Sequence, residues 1–170
     1  MRWPLSSTPM RPPSLPGGWP NWVLGNHDRS RVASRIGSAQ AREAAMSLLT
    51  LRGTPTIYHG EEIGMTDSPI ASPLVHDPWE KNVPGFRLGR DPVRTPIQWT
   101  PERHAGFTSG EPWLPIGRAV EELNVRTLRS DPKSTLSLYR GLIRLRRSDN
   151  VITLGSYRLR SATQHGLLRR

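Results

Sequence analysis

The sequence predicts an α/β fold built on a parallel β-sheet, and three stretches carry that prediction. "NWVLG", residues 21–25, is a short apolar run of the kind that buried parallel strands show. "SAQAREAAMSLLTLRG", 38–53, has apolar residues at helical spacing. "TPTIYHG", 54–60, returns to strand composition. Strand, helix and strand within about 40 residues make a βαβ unit, and such units imply parallel pairing.

Taken in order, residues 1–18 are Pro/Ser-rich and aperiodic, and are expected to be disordered. They hold no continuous apolar core of a secretory signal. The run 21–25 ends on Asn26-His27-Asp28. In the helix, Ser38 suits the N-cap, and Ala41, Ala44, Ala45, Leu48 and Leu49 form the apolar face. Gly53 suits the position that closes the helix after Arg52. Pro55 stands at the start of the second strand, where proline is tolerated, and Glu61 and Glu62 follow its end. Residues 66–133 are rich in Pro, Gly and Trp and read as one long loop, a length that is usually functional or disordered. A second helix is expected over 131–149, with Asp131 as cap and Pro132 in its first turn. Leu138, Leu142 and Leu145 would face inward, and Arg140, Arg144 and Arg147 outward. Residues 151–160 have strand-like composition.

Charge and composition bound the function. The 170 residues carry a formal charge of +10, from 22 Arg and 2 Lys against 14 acids. The excess sits at the end: residues 134–170 hold eight Arg and one Asp. A basic end can neutralise nucleic-acid phosphates. No recognised nucleic-acid motif accompanies it, so a solvated arginine face and tail is the plainer reading. There is no cysteine, which excludes disulfides, thiolate metal sites and a Cys nucleophile. That fits a reducing compartment, and a cytoplasmic location is expected. No apolar run reaches the roughly 18 residues of a membrane span, so no membrane partner is expected.

In parallel sheets and barrels, ligands sit beyond the carboxyl ends of the strands. The polar clusters 26–28 and 59–62 both fall there. No His-Glu-x-x-His helix or calcium loop marks a metal site, no G-x-S-x-G marks a serine nucleophile, and no glycine cluster marks a phosphate loop. Neither metal nor cofactor is expected. Sugar chemistry remains, in which carboxylates and ring-hydroxyl hydrogen bonds stabilise a cationic transition state. By itself an exposed His-Asp pair serves a turn or a cap as readily as a site.

Five motifs in order narrow the choice: "WVLGNHD", "GTPTIYHGEEIGM", "RDPVRTPIQW", "HAGFTSGEPWL" and "ELNV". They resemble the α-amylase clan, glycoside hydrolase family 13, in its α-glucosidase and oligo-1,6-glucosidase branch. The resemblance implies the C-terminal part of a TIM (β/α)8 barrel: strands seven and eight at 21–28 and 54–59, helices seven and eight at 38–52 and 134–148, and a long irregular loop between strand eight and helix eight. Residues 19–149 would be a partial catalytic domain, and 150–170 the start of a C-terminal β domain. It implies a retaining α-glucosidase activity on α-glucosidic oligosaccharides. Asp28 matches the third catalytic carboxylate, which is neither nucleophile nor acid. His27 matches a residue that binds the same sugar, and Arg31 and Arg94 match substrate-site arginines. The pattern departs at Ser30, His59 and Ile97. In the family, the nucleophilic Asp and acid/base Glu lie on strands four and five, ahead of strand seven. No residue here matches them, so the chain alone is expected to be inactive. The alternatives are a non-catalytic fragment that binds another protein, and a basic nucleic-acid-binding module.

Overall fold

The structure, a computed structural model, describes residues 18–155. Two strands, β1 (Asn21–Val23) and β2 (Thr54–Thr56), pair in parallel with Trp22 opposite Pro55. Between them run α1 (Val32–Ile36) and α2 (Ser38–Thr50). The expected βαβ unit is therefore present, with shorter strands and an extra helix. Gly53 makes the return into β2 possible. Its φ is +120°, and a Cβ there would lie 2.4 Å from the Pro20 carbonyl oxygen. Only glycine fits that approach.

The long loop contains α3 (Pro78–Asn82) and α4 (Val125–Ser130), then α5 (Thr135–Ser148) and α6 (Asn150–Leu154) follow. α5 packs on α2, and Ala45, Leu49 and Tyr139 form the buried core between them, with Ile57 and Leu142 against it. Arg146 fastens the same interface. Its buried guanidinium donates to the carbonyls of Leu49 (3.1 Å), Leu51 (2.6 Å) and Gly53 where α2 ends.

Several element ends differ from the sequence expectation. α2 is preceded by Gly37, not capped by Ser38, because α1 ends on the same glycine at φ +88° and the chain turns directly into α2. α5 starts after Ser134, whose hydroxyl accepts the Ser137 N–H at 3.1 Å. Asp131 instead caps a turn, accepting the Lys133 N–H. The buried face of α5 is carried by Tyr139 and Arg146, while Leu145 is exposed, so the helix is rotated from the leucine stripe. Residues 151–154, part of the stretch given strand-like composition above, fall in α6, because Asp149 caps a helical turn by accepting the Val151 N–H at 2.8 Å. Residues 156–160, and the segment 1–17, lie outside the described residues.

The loop is ordered by buried polar side chains beside a few buried apolar ones, Val93, Ala105 and Leu114. Asn124 is fully buried. It accepts the Thr127 N–H and donates to Val120 and Glu121 carbonyls, which fixes the start of α4. Gln98, also buried, donates to the Leu123 carbonyl. Such satisfied groups hold irregular chain in one arrangement.

Candidate active site

The chain leaves β1 through Leu24 and Gly25 and exposes Asn26, His27 and Asp28 at the strand's carboxyl end. The Asn26 side chain accepts the Asp28 N–H at 3.0 Å, a local turn that fixes the Asp28 backbone. Asp28 lines a cleft of about 970 Å³, with its side chain 49% exposed.

Two guanidinium groups meet that carboxylate. Arg94 Nη2 and Arg90 Nη1 each stand 3.2 Å from Oδ1, and His27 Nε2 stands 3.4 Å from Oδ2. Arg94 Nε also donates to the His27 carbonyl at 3.0 Å. The structure thus brings together three of the expected site residues, His27, Asp28 and Arg94. It adds Arg90, which the motif reading passed over.

Asp77 lies behind both arginines. Its side chain is fully buried, its Oδ2 takes Arg90 Nε at 2.7 Å, and Arg94 Nη1 is 3.9 Å away. It also accepts the backbone N–H groups of Trp79 and Arg90. Burial alone would raise its pKa, but the Arg90 hydrogen bond and these N–H groups outweigh it, and the carboxyl is pushed down to about 2. Asp77 therefore stays charged and sets the two guanidiniums against Asp28. Asp91 closes the arrangement, accepting the His76 and Asp77 N–H groups. The Asp77-Pro78 pair, an N-cap followed by a proline, was the available sequence signal for this.

Arg31 behaves differently. It is 1% exposed, and its contacts are with His59 and Asp67, not Asp28. Its Nη1 donates to the His59 carbonyl at 2.7 Å, its backbone N–H to Asp67 at 2.7 Å, and its guanidinium lies over the Tyr58 ring. Burial lowers its pKa, against the opposing influence of Tyr58 and the nearby acids. Two of the three departures from the family pattern meet here: the Ser30 hydroxyl donates to Asp67, and His59 receives Arg31. Glu61 and Glu62, at the end of β2, accept the backbone N–H groups of Tyr58 and Gly60. Burial pushes the Glu61 pKa up to about 7. Trp79, Trp99 and Trp113 are all exposed, and the Trp113 indole donates to His76 at 2.9 Å.

No group of three or more His, Cys, Asp or Glu among the described residues could hold a metal ion. Among them, too, no helix is long and apolar enough to cross a membrane.

A strand-end carboxylate, a neighbouring imidazole and two fixed arginines beside a cleft suit a polyhydroxylated ligand. Comparison with known proteins identifies the family. The profile of the family described as "Alpha amylase, catalytic domain" matches residues 12–155. The chain belongs to this family. Its α-amylase relatives include an oligo-1,6-glucosidase from Parageobacillus thermoglucosidasius, 36% identical over 168 residues, covering 84% of this chain and 30% of that protein. Among solved structures, trehalulose synthase from Pseudomonas mesoacidophila superposes with a TM-score of 0.73 at 35% identity, over 83% of this chain and 30% of the other. Trehalose-6-phosphate hydrolase from Bacillus licheniformis gives 0.73 at 34% identity, over 81% and 29%. The chain thus has an α-amylase family fold and spans about 30% of the length of such relatives.

Proposed function

We propose that this chain carries the transition-state-stabilising part of an α-glucosidase-type glycoside hydrolase site. The observation that supports it best is the Asp28 carboxylate, half-exposed to the cleft, with Oδ1 held by Arg90 and Arg94 and Oδ2 faced by His27. In this reading β1 and β2 are strands seven and eight of a (β/α)8 barrel, and α2 and α5 are helices seven and eight. Residues 19–149 belong to the catalytic domain and 150–170 open the domain that follows.

When an α-glucosidic bond breaks, the glucose ring becomes cationic. Asp28 presents a fixed negative charge to that ring and accepts hydrogen bonds from its hydroxyls. A charge already aimed where charge develops needs no reorganisation. Arg90 and Arg94, anchored on Asp77, hold the carboxylate in one rotamer. His27 orients a neighbouring hydroxyl. Arg31 acts through the backbone, joining the segment after Asp28 to the end of β2. Retention also needs a nucleophile and an acid about 5 Å apart. The resemblance gives those roles to no residue of this sequence, so the full reaction draws them from the rest of a barrel. Hydrolysis of α-glucosides follows the relatives named glucosidase and hydrolase.

The test is calorimetric titration of the chain with a cationic iminosugar, which mimics the charged ring. Saturable binding is expected, weakened about tenfold or more by Asp28→Asn, since a charge-assisted hydrogen bond is lost. Equal affinity in the two proteins would refute the assignment of Asp28.

A further inference from the structure

We propose that the outer face of α5 is a docking surface for an acidic amphipathic helix of a partner protein, held by Arg140, Arg144 and Arg147. None of these residues lines the cleft beside Asp28, so the surface stands apart from the glycosidase reading.

α5 is one continuous helix. Residues 140, 144 and 147 follow the i, i+4, i+7 spacing that puts side chains on one face, over a rise of about 10 Å. All three arginines are exposed, and they meet with Ile143 and Ser148 around one open hollow of about 470 Å³. Tyr139 and Arg146, which pack on the α2 side, leave the helix on the opposite face.

No acid answers this row. α5 contains no Asp or Glu, and Asp149, just beyond it, accepts the Val151 N–H as a cap. None of the three arginines forms an ion pair among the described residues. Segments 1–17 and 156–170 hold six Arg and no Asp or Glu, so no acidic side chain of theirs neutralises the row. Like charges at i, i+4, such as Arg140 and Arg144, destabilise a helix. Complementary charge from outside removes that cost.

Gly141 points to a helix as the source of the charge. It sits in the middle of α5, where glycine is a poor helix former, and a Cβ there would meet nothing within 4 Å. Packing inside the chain does not require it. On an exposed helix face a missing side chain lets another backbone come close. By helical geometry Gly141 and Ser148 flank the arginine row on one side and Ile143 on the other. A helix with carboxylates at i, i+4 and i+7 matches the rise of the row, and its apolar residues cover Ile143 and Gly141. A nucleic-acid strand matches the charge alone and leaves those two positions unused. A membrane surface needs the apolar face of α5, which is buried against α2.

Fluorescence anisotropy of the full chain tests this with a labelled synthetic peptide of about 20 residues, long enough to form a helix. The peptide carries Glu at i, i+4 and i+7 beside a leucine row. A second peptide has the same composition with its glutamates spread around the helix. Each exposed ion pair contributes about 1.4- to 5-fold, so the first peptide is expected to bind about tenfold more tightly, less so at high salt. Arg140→Gln/Arg144→Gln/Arg147→Gln should abolish the difference. Arg144→Glu should weaken binding, and a peptide with Lys at the facing position should restore it. Gly141→Leu keeps every charge and should weaken binding severalfold, while its urea midpoint stays at or above that of the parent because leucine is the better helix former. Equal binding of the two peptides overturns the proposal, as does affinity unchanged in the triple variant or in Gly141→Leu. Duplex DNA or a phosphatidylserine vesicle held through these arginines more tightly than the peptide also overturns it.

Discussion

Glu61 shows how one buried carboxyl sets a pH dependence. Its Oε1 is buried without a hydrogen-bond partner, close beneath Gly25, and burial pushes its pKa from 4.5 to about 7. The folded protein therefore binds this proton more tightly than the unfolded chain. The associated stability is complete below about pH 4.5 and is lost as pH rises through 7, amounting to about 3 kcal/mol. Glu61→Gln keeps the shape and removes the titration. Urea unfolding from pH 4 to pH 8 should show the parent weakening relative to the variant across that window. Asp77 has the opposite sign. Its folded pKa, about 2, lies below the ordinary 3.8, so its contribution is present above pH 4 and is lost as pH falls through 2. Asp77→Asn should cost about 2 kcal/mol at neutral pH and almost nothing near pH 2, read from the same unfolding curves. That His27, Asp28 and Arg94 are candidates was legible in the sequence, because His27 and Asp28 close an apolar run and all three sit in recognisable motifs. The partnership of Arg90 with Asp77 was not, although Arg90 opens one of those motifs and Asp77-Pro78 marks an N-cap, since it joins two points of an aperiodic loop. The burial of Arg31 was hidden for a similar reason: its partners His59 and Tyr58 lie across the βαβ crossover.

The elements show the same division between local and tertiary information. The βαβ unit was legible because its strands and α2 have local periodicity. α1, five residues long, was not, because one short turn carries too little pattern. The rotation of α5 was invisible as well. A leucine stripe predicts which face is apolar, but Arg146 is drawn inward by three carbonyls at the end of α2. Those carbonyls are its purpose: a helix end leaves acceptors without partners, and one guanidinium supplies several donors. Arg146→Leu would keep the bulk and strand these acceptors. A loss of about 2–4 kcal/mol is expected, with Arg146→Lys recovering part of it, since an ammonium cannot match the planar fork. The midpoint of urea denaturation for the two variants measures this. Equal midpoints for parent and leucine variant would show that water serves those carbonyls as well.

At the scale of the whole molecule, the cleft's acids decide what chemistry the chain can do alone. Glycosidic cleavage with retention requires two carboxyl groups, one attacking and one donating a proton. Four carboxylates line the cleft, but Asp67, Glu80 and Asp91 are each committed to backbone N–H groups. Recruiting any of them would break the contacts that shape the wall. Among the described residues, Asp28 is the one cleft carboxylate whose oxygens accept no backbone N–H, and one group cannot attack and protonate on opposite sides of a bond. The 170-residue chain is therefore expected to bind an iminosugar yet show no turnover of p-nitrophenyl α-glucoside above an Asp28→Ala control. When the same residues stand in a barrel with the other two carboxylates, Asp28→Asn should act mainly on kcat, by roughly 10²- to 10³-fold, because the charge is felt most when the ring is cationic. His27→Ala should act more on KM, because its hydrogen bond serves ground and transition states alike. Steady-state kinetics of both variants on one α-glucoside separate the two effects. If Asp28→Asn raised KM while kcat stayed within about twofold, its charge would not be acting on the transition state.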